Sequence, residues 1–321
     1  MTAKVWQISG FSGGAVLVMR YPQTIMVSCE IPWDEDEELI EDVFREEIRA
    51  TLNNGYNYLY TFGTAGEGYA VTSTQFKEIV EIFAEETNKD GVFPNIGIIA
   101  MSTAQVVERI GLAYDNGFRV FQIALPPWGA LNDDEYMTFF KDVCENFSDA
   151  KFLHYNLPRA KRVLLGPEYR LLEAAIPNLV GTKNLRADIT EIESIATHTS
   201  ELQHFWGEYG FPIGCLYGEC SLLSSFGGLI PSKTKEFFEY GVTGQVESLF
   251  RMMPDIIGFM YAFEEPGLSG QDHIDGAFDK MIVRASGIDM PLRLLSPYHG
   301  FDLKTFEASV KNVQEKYPGW F

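Results

Sequence analysis

A lysine closes the short apolar run Leu179-Val180-Gly181-Thr182-Lys183, just before a helix-like segment. An amine held at a strand end and partly dried by its surroundings loses its proton more readily and attacks carbonyl carbon. Two other strand ends carry matching chemistry. Tyr155, in His154-Tyr155-Asn156-Leu157-Pro158, offers a phenol for proton transfer. The turn Gly63-Thr64-Ala65-Gly66-Glu67-Gly68 lets backbone N–H groups converge on an anion, and Thr64 adds a hydroxyl, which suits a carboxylate. Each feature also has a plainer reading: a solvated lysine, a packed tyrosine, a tight turn. Together they supply an amine for a ketone, a phenol for the proton and a turn for the carboxylate. That is the equipment for Schiff-base chemistry on a 2-oxo acid. Lys183, Tyr155 and Thr64 are the catalytic candidates; Gly63, Ala65 and Gly66 are substrate-binding candidates. Ser224, at the end of the last strand, joins the substrate-binding set. So does Arg186, which meets either a second anionic group of the substrate or an acidic neighbour.

The elements that carry these residues repeat. Strand-like runs begin near Thr24, Tyr56, Asn95, Arg119, Lys151, Leu179, Gln203 and Ser221, and each is followed by a helical pattern. The acidic run Asp34–Glu38 is expected to open the first helix, where negative charge favours the helix dipole, and Asn54-Gly55 to end it. Capping boxes are expected at Thr72/Gln75 and Ser102/Gln105, and helix starts at Asn132/Glu135 and Asp188/Glu191. Eight alternating units imply parallel strands with right-handed crossovers. The position after the first strand holds Ile31-Pro32-Trp33 rather than a glycine-rich phosphate loop. The expectation is therefore a (β/α)8 TIM barrel over residues 23–240 rather than an open sheet. Residues 1–22 read as an N-terminal extension. Residues 241–321 read as a C-terminal helical region packed on the barrel. In such a barrel chemistry sits at the C-terminal strand ends, where the three features fall. His154 alternates with Tyr155 and is expected to face away from the interior. Tyr69 is either a lid over the site or a surface residue.

Composition narrows the function classes. The 321 residues carry a formal net charge of −20, which disfavours nucleic acid and anionic membranes as partners. The densest basic cluster, Arg159, Lys161 and Arg162, suits a small anionic ligand. Four cysteines form no Cys-x-x-Cys pair, and the five histidines show no metal spacing, so a reduced cytoplasmic protein without a metal is expected. No run approaches a signal core or a membrane span.

The segments Gly63-Thr64-Ala65-Gly66-Glu67, Tyr155-Asn156-Leu157-Pro158 and Gly181-Thr182-Lys183, with weaker echoes at Pro126-Pro127 and Gly207-Glu208, resemble the dihydrodipicolinate synthase / N-acetylneuraminate lyase family over roughly residues 24–240. The resemblance implies a barrel with added C-terminal helices, a homo-oligomer, usually a tetramer, and a lysine imine formed with pyruvate or a related 2-oxo acid, without a cofactor. It assigns imine formation to Lys183, proton transfer to Tyr155, and the carboxylate to Thr64 and the Ala65 amide. The departures lie on the second-substrate side. The turn has Ala65 where a second hydroxyl is usual. Pro126-Pro127-Trp128-Gly129 lacks the relay tyrosine that the synthases lend to a neighbouring subunit, with Gly129 in its place. Ala160 stands where the synthases carry an arginine. The expectation is thus a lyase or aldolase that makes or breaks a carbon–carbon bond, or dehydrates a sugar acid. The alternatives are dihydrodipicolinate synthase itself, joining pyruvate to aspartate semialdehyde, a non-catalytic keto-acid-binding relative, and a pyridoxal-phosphate barrel with a phosphate cup near Ser224-Ser225-Phe226-Gly227-Gly228.

Overall fold

The computed structural model describes residues 20–268 and 273–320. Most of the expected N-terminal extension lies outside the described residues. The strands are β1 Ile25–Ser28, β2 Tyr58–Thr61, β3 Phe93–Ile98, β4 Val120–Ile123, β5 Lys151–Asn156, β6 Leu179–Asn184, β7 Gln203–Trp206 and β8 Ser221–Ser224. They pair in parallel in chain order, and β8 returns to β1 to close a barrel. The crossovers carry α1 Glu41–Asn53, α2 Ser73–Thr87, α3 Thr103–Asp115, α4 Asp133–Cys144, α5 Gly166–Ala175, α6 Ile189–His198, α7 Phe211–Tyr217 and α8 Pro231–Val242. The architecture is the (β/α)8 barrel read from the alternation.

Local chemistry explains most boundaries. Thr72 with Gln75 and Asn132 with Glu135 form reciprocal capping boxes. At α3 the box is half made. Ser102 accepts from the Gln105 N–H, but the Gln105 side chain accepts from Met101 instead. The acidic run Asp34–Glu38 does not begin α1. The Asp34 carboxylate accepts from the N–H groups of Asp36 and Glu38, and Trp33 bridges to Leu39, so the run closes a tight turn. The helix starts later, with Glu41 and Asp42 in its first turn. Asn54 caps its end and Gly55 takes the left-handed φ of +79° that follows.

Period-two alternation sorts the strand side chains. Val27, Leu59, Phe121, Phe152 and Leu222 pack outward against the helices. Met26, Tyr60, Leu153, Phe205 and Leu223 fill the barrel interior, with Tyr21 among them. Three further helices follow: α9 Val246–Glu264, α10 Asp275–Ala285 and α11 Leu303–Lys316. They join the same core through Leu249, Phe259, Phe263, Met281 and Val313. No helix among the described residues is long and apolar enough to cross a membrane.

Candidate active site

Lys183 stands on β6 directly beside Tyr155 of β5 in the sheet register. Its side chain is 3% exposed. The amine donates to the Tyr60 hydroxyl of β2 at 2.9 Å and lies 4.1 Å from the centre of the Tyr155 ring and 4.3 Å from that of Tyr60. Burial drives its pKa down to about 7, although the charges of Glu30, Asp275 and Asp279 pull the other way. A neutral amine is therefore abundant near neutral pH. Tyr155 shares a 3.2 Å hydrogen bond with the Thr64 hydroxyl. Burial raises its phenol well above the usual range, so it stays protonated until a reacting group takes the proton.

The turn after β2 is shaped by close approach. A Cβ on Gly63 would meet the Tyr60 ring at 2.8 Å and the Lys183 amine at 3.3 Å. Phe62 and Glu67, on either side of the turn, hold left-handed backbone at φ 61° and 52°, an uncommon conformation outside glycine. Glu67 is wholly buried and ties the turn down. It accepts from the Trp33 indole at 2.9 Å and the Leu295 amide at 2.6 Å, and pairs with Lys280 at 2.7 Å. Gly63→Ala is expected to push the amine off Tyr60 and slow capture of a 2-oxo acid by about tenfold or more. A pre-steady-state capture rate near wild type in that variant would show that the close approach has no bearing on the amine.

Lys183, Tyr60, Tyr155 and Ala65 line a cavity of about 350 Å³. The rest of the lining is acidic: Glu208 after β7, Glu264 of α9, and Asp275 and Asp279 of α10, together with Phe226, Met260, Phe278 and Ile282. Burial and the Glu208 charge raise Glu264 to about 7. Burial also raises Glu208 and Asp279. Asp275 is paired with Arg159 through two hydrogen bonds of 2.9 and 3.0 Å.

Several sequence candidates fall elsewhere. Arg186 is half-exposed and pairs with Glu191 at 2.8 Å, away from the cavity lining. The strand ends at Asn184, Leu185 turns to the cavity, and the next side chain turns out. Ser224 lies behind the wall, where its hydroxyl donates to Glu208 at 2.9 Å; its neighbour Ser225 faces the cavity. The basic cluster is used internally rather than presented to a ligand. Arg159 holds Asp275, Lys161 reaches the Trp128 carbonyl, and Arg162 binds Asp133 and Glu168. His154 faces the helices, bonded to the Tyr169 hydroxyl at 2.7 Å. Tyr69 is edge-on to Tyr298 and outside the cavity lining. Cys215 and Cys220 lie with sulfurs 3.6 Å apart, as free thiols. Among the described residues no group of three or more His, Cys, Asp or Glu side chains could hold a metal ion.

Sequence reasoning missed Tyr60 and its neighbours on and just after β1. The signal was present: Met26, Ser28 and Glu30 alternate with Val27, Cys29 and Ile31. A serine in the inward phase of a barrel strand points at the interior, and Glu30, two residues past the strand end, keeps the same phase.

A model of the dihydrodipicolinate synthetase family matches residues 21–259. The chain is 25% identical over 277 residues to the 4-hydroxy-tetrahydrodipicolinate synthase of Coxiella burnetii, covering 85% of this chain and 93% of that one. It is 22% identical over 174 residues to the N-acetylneuraminate lyase of Salmonella newport, covering 54% and 58%. Its fold is similar to that of YagE, a prophage protein of E. coli K12 belonging to the dihydrodipicolinic acid synthase family and described in complex with pyruvate, with a TM-score of 0.80 at 15% identity, covering 94% and 99%.

Proposed function

The chain belongs to the dihydrodipicolinate synthetase family, and from that premise we propose that it is a lyase that forms a lysine imine with pyruvate or another 2-oxo acid. The observation that carries the proposal is the state of Lys183: a buried amine with its pKa near 7, held between two phenols at the end of a barrel strand. Lys183 attacks the ketone. Thr64 and the Ala65 amide receive the carboxylate, with Gly63 and Gly66 keeping side chains out of the way. Tyr155, backed by Thr64, moves the proton between the carbinolamine oxygen and the substrate. The protonated imine then accepts the electron pair of an adjacent bond, so that a carbon–carbon bond is made or broken, or water is lost. Arg186 has no part in this reading, and Ser224 acts only by holding Glu208.

The acidic lining argues against aspartate semialdehyde as the partner. That aldehyde brings a second carboxylate, whereas the lining presents Glu208, Glu264 and Asp279, and Arg159 is already engaged with Asp275. A fragment rich in hydroxyls and without an anion, as in a sugar acid, fits such acceptors better. A coupled assay with pyruvate and aspartate semialdehyde is expected to show little turnover.

Borohydride added with pyruvate is expected to leave a permanent adduct on Lys183, located by peptide mass mapping. Its rate should climb as pH rises towards about 7 and level off above, because the amine is already neutral there. An ordinary lysine would keep climbing towards its usual range near 10.4. No adduct with any 2-oxo acid would overturn the reading.

A further inference from the structure

The Lys183 amine has one hydrogen-bonding partner among the described residues, and it is Tyr60 rather than Tyr155. The Tyr155 hydroxyl is turned to Thr64 instead. The two phenols therefore lead in different directions, Tyr155 to the carboxylate turn and Tyr60 to β1. Beside Tyr60 stands Ser28, which lines the large cavity together with Tyr60 and a small one together with Glu30. Glu30 is 1% exposed, and its Oε2 has no hydrogen-bond partner. Its own N–H donates to Glu47 at 2.7 Å, which brings a second buried carboxylate close rather than a cation. Glu30, Glu47, Ser28 and Asp279 also surround a small cavity of about 40 Å³, next to the large one and sharing Ser28 and Asp279 with it. That is room for about one or two water molecules.

We propose that Tyr60, Ser28 and Glu30 form a proton path within this chain, with Tyr60 as a catalytic residue that takes the proton from Lys183 and Glu30 as the positioned group that stores it. The proposal rests on the imine reading above. It replaces by a residue of β2 the relay tyrosine whose position is taken here by Gly129.

The path closes in protons and electrons. The Lys183 ammonium gives a proton to the Tyr60 oxygen while Tyr60 passes its own through Ser28 to Glu30. The neutral amine forms a C–N bond to the ketone carbon, and the carbonyl π pair moves to oxygen. Proton transfer from nitrogen to oxygen gives the carbinolamine. Its C–O bond then breaks, and the proton stored on Glu30 returns along the path to leave with the hydroxyl as water. The products are one iminium and one water, with Glu30 restored to carboxylate.

A buried carboxylate is costly unless opposite charge offsets it, and Glu30 has the charges of Lys183 and Lys280 near it. Burial pushes the Glu30 carboxyl up and the Lys183 amine down, so the two groups are driven towards each other's range. The groups facing Glu30 are Glu47 of α1, Tyr60 of β2, Glu67 of the turn, Lys183 of β6, and Asp279 and Lys280 of α10. Of the two lysines, Lys280 is committed to Glu67, which leaves Lys183 to exchange the proton.

The test is single-turnover borohydride trapping of pyruvate on the full chain, as a function of pH and pyruvate concentration, for wild type, Tyr60→Phe and Glu30→Gln. Tyr60→Phe is expected to lower the maximal trapping rate by about tenfold or more with little change in the pyruvate concentration for half-maximal rate. Glu30→Gln is expected to slow trapping and to flatten the rise around pH 7. Thermal melts identify a variant that fails to fold, and Ser28→Ala then carries the test, with slowed trapping expected. A wild type that is never trapped overturns the imine reading, and the path with it. A wild type that is trapped while Tyr60→Phe keeps its rate within about twofold overturns the path alone. An unchanged pH profile in Glu30→Gln removes Glu30 from it.

Discussion

Lys183→Met is expected to abolish the proposed pyruvate adduct, to lower turnover by about a thousandfold or more, and to make the protein more stable below neutral pH. The two effects share a cause. The side chain is almost completely buried, and methionine fills a similar volume without a charge. Burial lowers the lysine pKa from its ordinary value to about 7 in the folded protein. Below about 7 both the folded and unfolded lysine are charged, and the folded state bears the whole cost of the buried ammonium. Between about 7 and the unfolded value near 10.4 the unfolded lysine still holds its proton and the folded one does not, so stability rises with pH. The advantage of Lys183→Met is thus greatest below pH 7, on the order of 4 kcal/mol, and shrinks towards zero near pH 10. Urea midpoints of both proteins across that range measure it. Equal midpoints at acid pH would mean that the amine is well solvated, which would remove the basis for its reactivity. A persistent adduct in the variant would place the chemistry on another lysine.

That trade explains why Lys183 was visible in the sequence while its surroundings were only partly so. The lysine, Tyr155 and Thr64 stand at strand ends, and once eight strand–helix units are counted, the barrel brings strand ends together. Tyr60 needed one more step, the inward phase of β2. Glu30 lies two residues past the end of β1, a strand of only four residues, where alternation is weak evidence. The acidic wall was out of reach. Glu264 and Asp279 belong to helices added after the barrel, and a charged residue on a helix ordinarily faces water. Only the docking of α9 and α10 over the barrel mouth turns them inward. Arg186 failed for the opposite reason. Sequence distance from Lys183 is short, but the chain leaves the strand after Asn184 and an acidic partner, Glu191, waits on α6. The Asp34–Glu38 run failed because Asp34 satisfies its neighbours' N–H groups locally, and a closed turn competes with a helix start.

The docking of α10 has its own fastening, and breaking it has the largest expected cost in stability. Lys280 and Glu67 form an ion pair in which neither side chain reaches water. Lys280→Met leaves the Glu67 carboxylate buried with the Trp33 indole and the Leu295 amide but no cation, and is expected to cost about 3–5 kcal/mol in a denaturant titration. Adding Glu67→Gln should recover part of that loss, because the uncompensated charge is removed along with the pair. If the double variant were no more stable than Lys280→Met, packing rather than charge would be the fastening. The same contact reaches the site. Gly276, at the start of α10, lies so close to the turn that a Cβ would come within 2.8 Å of the Ala65 carbonyl. Lys280 therefore presses α10 onto the segment proposed to hold the substrate carboxylate, and the same helix brings Asp275, Phe278, Asp279 and Ile282 to the cavity. Pyruvate trapping in Lys280→Met should need more pyruvate to reach half its maximal rate, while the maximal rate changes less, since Lys183, Tyr60 and Tyr155 stay on barrel strands. A loss confined to the maximal rate would instead show that α10 acts on the amine itself, through the Asp275 and Asp279 charges that oppose its desolvation.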